Sequence, residues 1–247
     1  MPDSTLVIRP LSGALGAEID GVDLSATLAD EAFGAIRQAF LDYGIIAIRN
    51  QDLSHEAQIA FASRFGKADI HPIVNGMEQF PELVRVPKPA GASASFGVGW
   101  HSDNSFFAHP SLGTVLYGVT IPPYGGDTLY ASMDKAYAAL SAPLQALLEG
   151  LQAVHSAAHA YDPAITGSEK YEGKAPISYR YSAAVKEENI HPVIRTHPET
   201  GRKCIYVNQM FTQRILGMNT MEKTLILGEC KWTLEAVSRK VIAELLN

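Results

Sequence analysis

The apolar positions change period along the chain, and each change marks an element. Residues 6–9 (LVIR) read as a short strand, and the small residues of 13–21 as a turn-rich connection. Asp30 takes the N-cap position of a helix in which Phe33, Ile36 and Phe40 recur at helical spacing, and Gly44 supplies its left-handed end. Residues 44–49 (GIIAIR) read as a buried strand. Ser54 opens a second helix through Phe65, with Ile59, Ala62 and Phe65 inward and Gly66 ending it. Beyond residue 66 the pattern turns to short β-rich runs divided by Pro and Gly, at 83–86, 114–119, 128–131 and 204–207. One helix interrupts them, over 133–151. Tyr137, Leu140, Leu144, Leu147, Leu148 and Leu151 form its apolar side, and Pro143 kinks or splits it. Residues 167–175 are polar and Gly-rich, as in a mobile loop. These signals predict a mainly β chain of α+β class, a sandwich or jelly roll carrying helical decoration. No linker divides residues 1–247, so one domain is expected.

Composition narrows the function classes. Hydrophobic residues make up 47% and charged residues 19%, enough apolar content for a core. Twenty Lys+Arg against 26 Asp+Glu give a net charge of −6, which argues against nucleic acid as a partner. The longest apolar runs, such as 44–48, fall far short of the ~20 residues that cross a bilayer, so no membrane association is expected. The N-terminus shows no basic start followed by an apolar run. The two cysteines, Cys204 and Cys230, form no CxxC pair, which excludes a disulfide scaffold and a Cys-rich zinc site and fits a cytoplasmic protein.

The chemistry concentrates in residues 97–110, GVGWHSDNSFFAHP. His101 and Asp103 make an H-x-D pair. On an extended strand positions i and i+2 share a face, so imidazole and carboxylate converge. One carboxylate and two histidines form the facial triad that binds non-haem Fe(II) and leaves positions open for chemistry. Trp100, Phe106 and Phe107 give this pair an apolar surround. His155 and His159 lie four apart, but no acidic residue accompanies them at HExxH spacing, so they read as core or surface histidines; His109, before a proline, reads as a turn residue.

The segment WHSDNSF at 100–106 resembles the metal-binding stretch of the taurine / 2,4-dichlorophenoxyacetate dioxygenase family of Fe(II)- and 2-oxoglutarate-dependent oxygenases. RFGKADIHP at 64–72, PPYGGDTLYASM at 122–133 and HPVIRTHPETGRKCIYVNQMFTQRI at 191–215 resemble further family segments in the same order. The resemblance covers residues 6 to about 221. It implies a double-stranded β-helix (jelly roll), with Fe(II), 2-oxoglutarate and O2 as cofactor and co-substrates. It implies His101 and Asp103 as iron ligands, Thr128 as a hydroxyl donor to 2-oxoglutarate, and His71, Phe106 and Tyr206 as substrate-binding residues. A structural reading stands beside each of the last four: His71 as a loop histidine before Pro72, Thr128 as turn chemistry after Gly125-Gly126-Asp127, Phe106 and Tyr206 as core aromatics. Gly97 and Val74 replace the polar and aromatic-hydroxyl side chains of the taurine-specific enzyme, which points to a larger or more apolar organic anion of sulfonate or aryloxyalkanoate type. Homo-oligomers are frequent in the family.

The family's third iron ligand is a histidine beyond the 191–215 stretch, in a segment reading roughly W-D-N-R-x-x-x-H, followed by an arginine for the distal carboxylate of 2-oxoglutarate. The last histidine of this sequence is His197, Trp232 is followed by Thr-Leu-Glu, and Arg239 is the only arginine after Arg214. His191 and His197 fall in the structural signature. From about residue 224 the tail departs from the family, and Leu234, Val237, Val241 and Leu245 fall at helical spacing. The expectation is that a frameshift, premature stop or gene-model error has replaced the family's final strands, with a natural truncated paralogue as the alternative. The chain would then be a poorly active dioxygenase, or a non-catalytic remnant or binding protein of that family. Reading the coding DNA in the other two frames past codon 224 checks the frameshift, which fails if neither frame restores a W-D-N-R…H…R segment.

Overall fold

The protein is described by a computed structural model that covers residues 6–88, 96–97, 99–167 and 177–222. The predicted loop at 167–175 and the predicted helical tail at 224–247 therefore lie almost wholly outside the described residues.

An N-terminal layer is built on β1 (Val7–Pro10) and β2 (Ala17–Asp20), paired antiparallel with Val7 opposite Asp20, and β3 (Ile46–Ile48), parallel to β2 with Ala17 opposite Ile46. A parallel pair needs a crossover, and α1 (Asp30–Tyr43) supplies it. It buries Phe33, Ile36 and Ala39, the last two in one cluster with Ile19. Gly44 ends it at φ +73°, its N–H donating to the Phe40 carbonyl at 2.8 Å. Ala29 is the N-cap, and Asp30 instead starts the first turn, where its charge faces the positive helix end. The 13–21 stretch contains β2, because Ala17 and Ile19 alternate inward between partly exposed Glu18 and Asp20. In α2 (His55–Ser63), Ser54 Oγ accepts from the Ala57 N–H at 3.1 Å as expected of a cap, and the helix stops short of Phe65.

The second layer centres on β4 (Gln152–His155), flanked antiparallel by β5 (Asn189–Pro192) and β8 (Thr212–Ile215). A hairpin of β6 (Ile194–Thr196) and β7 (Lys203–Ile205) follows β5. The expected 133–151 helix is two, α3 (Met133–Ala138) and α4 (Ala142–Glu149). Pro143 sits in the first turn of the second, where its missing N–H is harmless. The restart turns Leu147 out to 53% exposure and Leu148 into a core with Ala153, Val193, Ile205 and Ile215. A separate cluster of Ile73, Phe106, Ala157, Tyr161, Val185 and Phe211 packs beneath the H-x-D segment. No helix among the described residues is long and apolar enough to cross a membrane.

The strands expected at 83–86, 114–119 and 128–131 are absent from the described structure, and its three small sheets do not close into a barrel. Leu116, Val119 and Ile121 stand 66%, 83% and 75% exposed. β-propensity describes fit to a paired, half-buried surface, and these runs have no partner strand here.

A tight loop precedes the site. The Met77 N–H donates to the Leu83 carbonyl at 2.8 Å, and a Cβ at Gly76 would lie 2.0 Å from the Pro81 carbonyl oxygen. Gly76→Ala is expected to destabilise the fold by about 2 kcal/mol, the scale of overpacking. A urea midpoint equal to wild type would contradict this.

Candidate metal centre

His101 and Asp103 meet in a turn and not on a strand. Asn104 at φ +53°, a Ser105 N–H to Ser102 carbonyl bond of 3.3 Å and a Phe107 N–H to Asn104 carbonyl bond of 3.0 Å fold the segment back on itself. His101 Nε2 lies 3.0 Å from Asp103 Oδ1. Each group is held from behind: His101 Nδ1 faces the Gly99 carbonyl at 2.9 Å, and Thr114 Oγ1 donates to Asp103 Oδ2 at 2.9 Å. The Asp103 contact raises the imidazole pKa of His101, and the same contact lowers that of the carboxyl. With Nδ1–H given to Gly99, a divalent metal would displace the proton between Nε2 and the Asp103 oxygen, and the two would then serve as a two-donor site.

His71 stands beside this pair. Its Nδ1 accepts the N–H groups of Ile73 and Val74 at 3.1 and 3.0 Å, and Asn104 hydrogen-bonds the ring from its own side. Burial lowers its pKa, so it is a neutral hydrogen-bond donor at pH 7. Arg180 donates to the carbonyls of His71 and Pro72 at 2.7 and 3.1 Å and fixes this loop. Phe106 is 2% exposed, its ring centroid 4.8 Å from that of Phe211. Phe211 in turn stands edge-on to His101 at 6.1 Å.

The structure thus gathers His71, His101, Asp103 and Phe106. Thr128 is exposed; its segment reaches the site through Tyr130, whose pKa is raised by burial and then by the Asp103 charge. Tyr206 lies elsewhere. It stacks on His155 at 5.6 Å, meets His191 edge-on at 5.5 Å, and carries the Arg195 guanidinium 4.9 Å above its ring. Phe211 is the aromatic of the 191–215 segment that reaches His101; it shares that segment with Tyr206, and spacing alone does not separate the two. Thr114 and Tyr130 were also missed, because their strand-like runs carry no chemical signature.

Among the described residues no third His, Cys, Asp or Glu joins His101 and Asp103. His191 is engaged through Nε2 with the Phe107 carbonyl at 2.8 Å, and His197 Nδ1 accepts the N–H groups of Glu199 and Thr200, both at 3.2 Å. His155 lies on β4 and His159 on α5 (Ala158–Tyr161), so the two share no helix. A groove lined by Ile19, Asp20, Asp23, Arg49 and Gln51 belongs to the N-terminal sheet and shares no residue with the pair.

An α+β scaffold with a His/Asp pair beside an aromatic floor defines a candidate mononuclear metal protein. The chain belongs to the taurine catabolism dioxygenase TauD, TfdA family, whose sequence profile matches residues 8–238. It is 32% identical over 232 residues to an alkylsulfatase of Acinetobacter baylyi, covering 92% of this chain and 70% of that one. It is 30% identical to an α-ketoglutarate-dependent sulfonate dioxygenase of Saccharomyces cerevisiae over 90% of this chain and 54% of that one, so it spans about half of that relative. A crystal structure of a taurine dioxygenase from Burkholderia xenovorans superposes with a TM-score of 0.73 at 32% identity, over 96% of this chain and 75% of the other. Other relatives are named as sulfate ester and 2,4-dichlorophenoxyacetate dioxygenases dependent on α-ketoglutarate. The fold is therefore taurine dioxygenase-like, of the jelly-roll family, and by family the chain is a 2-oxoglutarate-dependent dioxygenase.

Proposed function

We propose that the chain descends from Fe(II)- and 2-oxoglutarate-dependent dioxygenases acting on a small organic anion of sulfonate, sulfate ester or aryloxyalkanoate type, and that it holds iron through His101 and Asp103. The observation that carries this is the 3.0 Å approach of Nε2 to Oδ1, with each group's far side fixed by Gly99 and Thr114. These donors fit two of the three protein positions of a facial triad. When bound, iron with 2-oxoglutarate and O2 supplies hydroxylation of a C–H bond, with succinate and CO2 as by-products. The chain's own part is to orient and to exclude water. Thr128 offers a hydroxyl to 2-oxoglutarate, the His71 N–H, released from Asn104, meets the anionic end of the substrate, and Phe106 and Phe211 form an apolar wall.

The described residues give no third ligand. This favours a second reading, a binding protein or weakly competent relative. Succinate release from this 247-residue chain with Fe(II), ascorbate, 2-oxoglutarate and a panel of sulfonates, sulfate esters and aryloxyalkanoates is therefore expected to stay near the substrate-free background. Robust substrate-dependent succinate formation would overturn the weak-competence reading and require another residue to complete the ligand set.

A further inference from the structure

Beneath the H-x-D turn lies a buried polar relay that the proposed chemistry does not use. Ser105, two positions from Asp103, and His155 on β4 are both 0% exposed; Thr212 and Asn208 are 1% and 8% exposed. Ser105 Oγ accepts from Asn208 Nδ2 at 2.9 Å and lies 3.2 Å from His155 Nδ1. His155 Nε2 lies 3.4 Å from Thr212 Oγ1, which also accepts the Asn208 N–H at 3.0 Å. Either neutral tautomer satisfies these contacts: one hydroxyl donates to the ring and the other accepts from it, while both accept from Asn208. Asn208 Oδ1 accepts the Phe211 N–H at 2.9 Å, so the same amide sets the ring that stands against His101. On the neighbouring side Asn189 Nδ2 and His191 Nε2 hold the carbonyls of Phe106 and Phe107, both at 2.8 Å. The H-x-D turn is thus pinned at three consecutive residues, 105 to 107, onto β4, β5 and the segment leading into β8.

We propose that Ser105 and His155 are positioning residues for the metal pair. The relay fixes the turn on the sheet and so holds Asp103 Oδ1 where it meets His101 Nε2. Polar side chains in a dry core carry a desolvation penalty, and here each finds a partner across the turn, the strand and the segment before β8, which ties the turn's placement to the sheet. The inference rests on His101 and Asp103 being ligands.

Co(II) titrations of the full chain test it, following the cobalt absorption bands and the apparent Kd beside thermal melts. Ser105→Ala removes one oxygen and is expected to weaken Co(II) binding about tenfold and to alter the cobalt spectrum, as loss of an outer ligand partner does. Val154→Ala, a buried truncation on the same strand, is expected to lower the melting temperature at least as much and to leave Kd within about twofold of wild type, since it touches no ligand partner. His155→Gln carries the same test if Ser105→Ala does not fold. Unchanged affinity in the relay variants, or equal weakening in Val154→Ala, overturns the positioning role. If Asp103→Asn binds Co(II) as tightly as wild type, the ligand assignment itself falls and the positioning role with it, a pattern distinct from failure of the relay alone.

Discussion

His101→Ala and Asp103→Asn are each expected to weaken divalent-metal binding by more than about a hundredfold, above the 10–100-fold typical of losing an outer-shell partner. Among the described residues the site has two protein donors and no redundancy: removing either leaves a single group, and a lone carboxylate or imidazole is no better than any other on the surface. The fold should hardly notice. The Asp103 side chain is 56% exposed and that of His101 22% exposed, and neither belongs to a buried apolar cluster. Surface changes of this kind stay near half a kcal/mol, so melting temperatures should fall within a few degrees of wild type. Manganese EPR or calorimetric titration of the metal-free chain reads the affinity directly. Wild-type affinity in either variant would move the metal site elsewhere.

What the sequence could disclose divides by the range of the interactions involved. Gly44, the Ser54 cap and the break at Pro143 were legible because each signal lies within one turn of its effect. The runs at 114–119 and 128–131 were misread because a strand exists only with a partner, and no local composition supplies one. The His/Asp pair was legible from its motif, though a turn and not a strand brings it together. The family was legible from four segments in order, and the profile match bears it out. The choice of Phe211 over Tyr206 was not legible, since both are aromatic and lie in one short segment, and only the path of the chain after β7 decides which ring meets His101. His155 was the least legible. Its reading as a surface or core histidine holds on the core side, since it is fully buried, but its contact with Ser105 spans fifty residues and has no local signal.

That burial carries a measurable consequence in the absence of metal. Acidification from pH 7 to pH 4 is expected to remove about 3 kcal/mol of folding stability through His155 alone. Burial, with the charge of His191 beside it, pushes the His155 pKa from 6.5 down to about 4. Each pKa unit corresponds to about 1.4 kcal/mol, so the gap is worth roughly 3 kcal/mol. The sign follows from proton uptake. The unfolded chain takes the proton near pH 6.5 and the folded chain resists it until about pH 4, so the contribution is full above 6.5, declines between the two values and is flat below. The groups facing His155 are Ser105 from the metal turn, Thr212 from β8, His191 from β5 and Tyr206 after β7, with Arg195 over the tyrosine. His191 is itself lowered by burial, which adds in the same direction, while His101 is raised by Asp103 and acts in the opposite one. His155→Gln removes the titrating ring and leaves the others, so the difference between wild-type and variant urea midpoints across pH 7 to 4, measured with chelator present, isolates the effect. The wild-type curve should fall more steeply by about 3 kcal/mol in all, and parallel curves would show that His155 takes its proton as readily folded as unfolded.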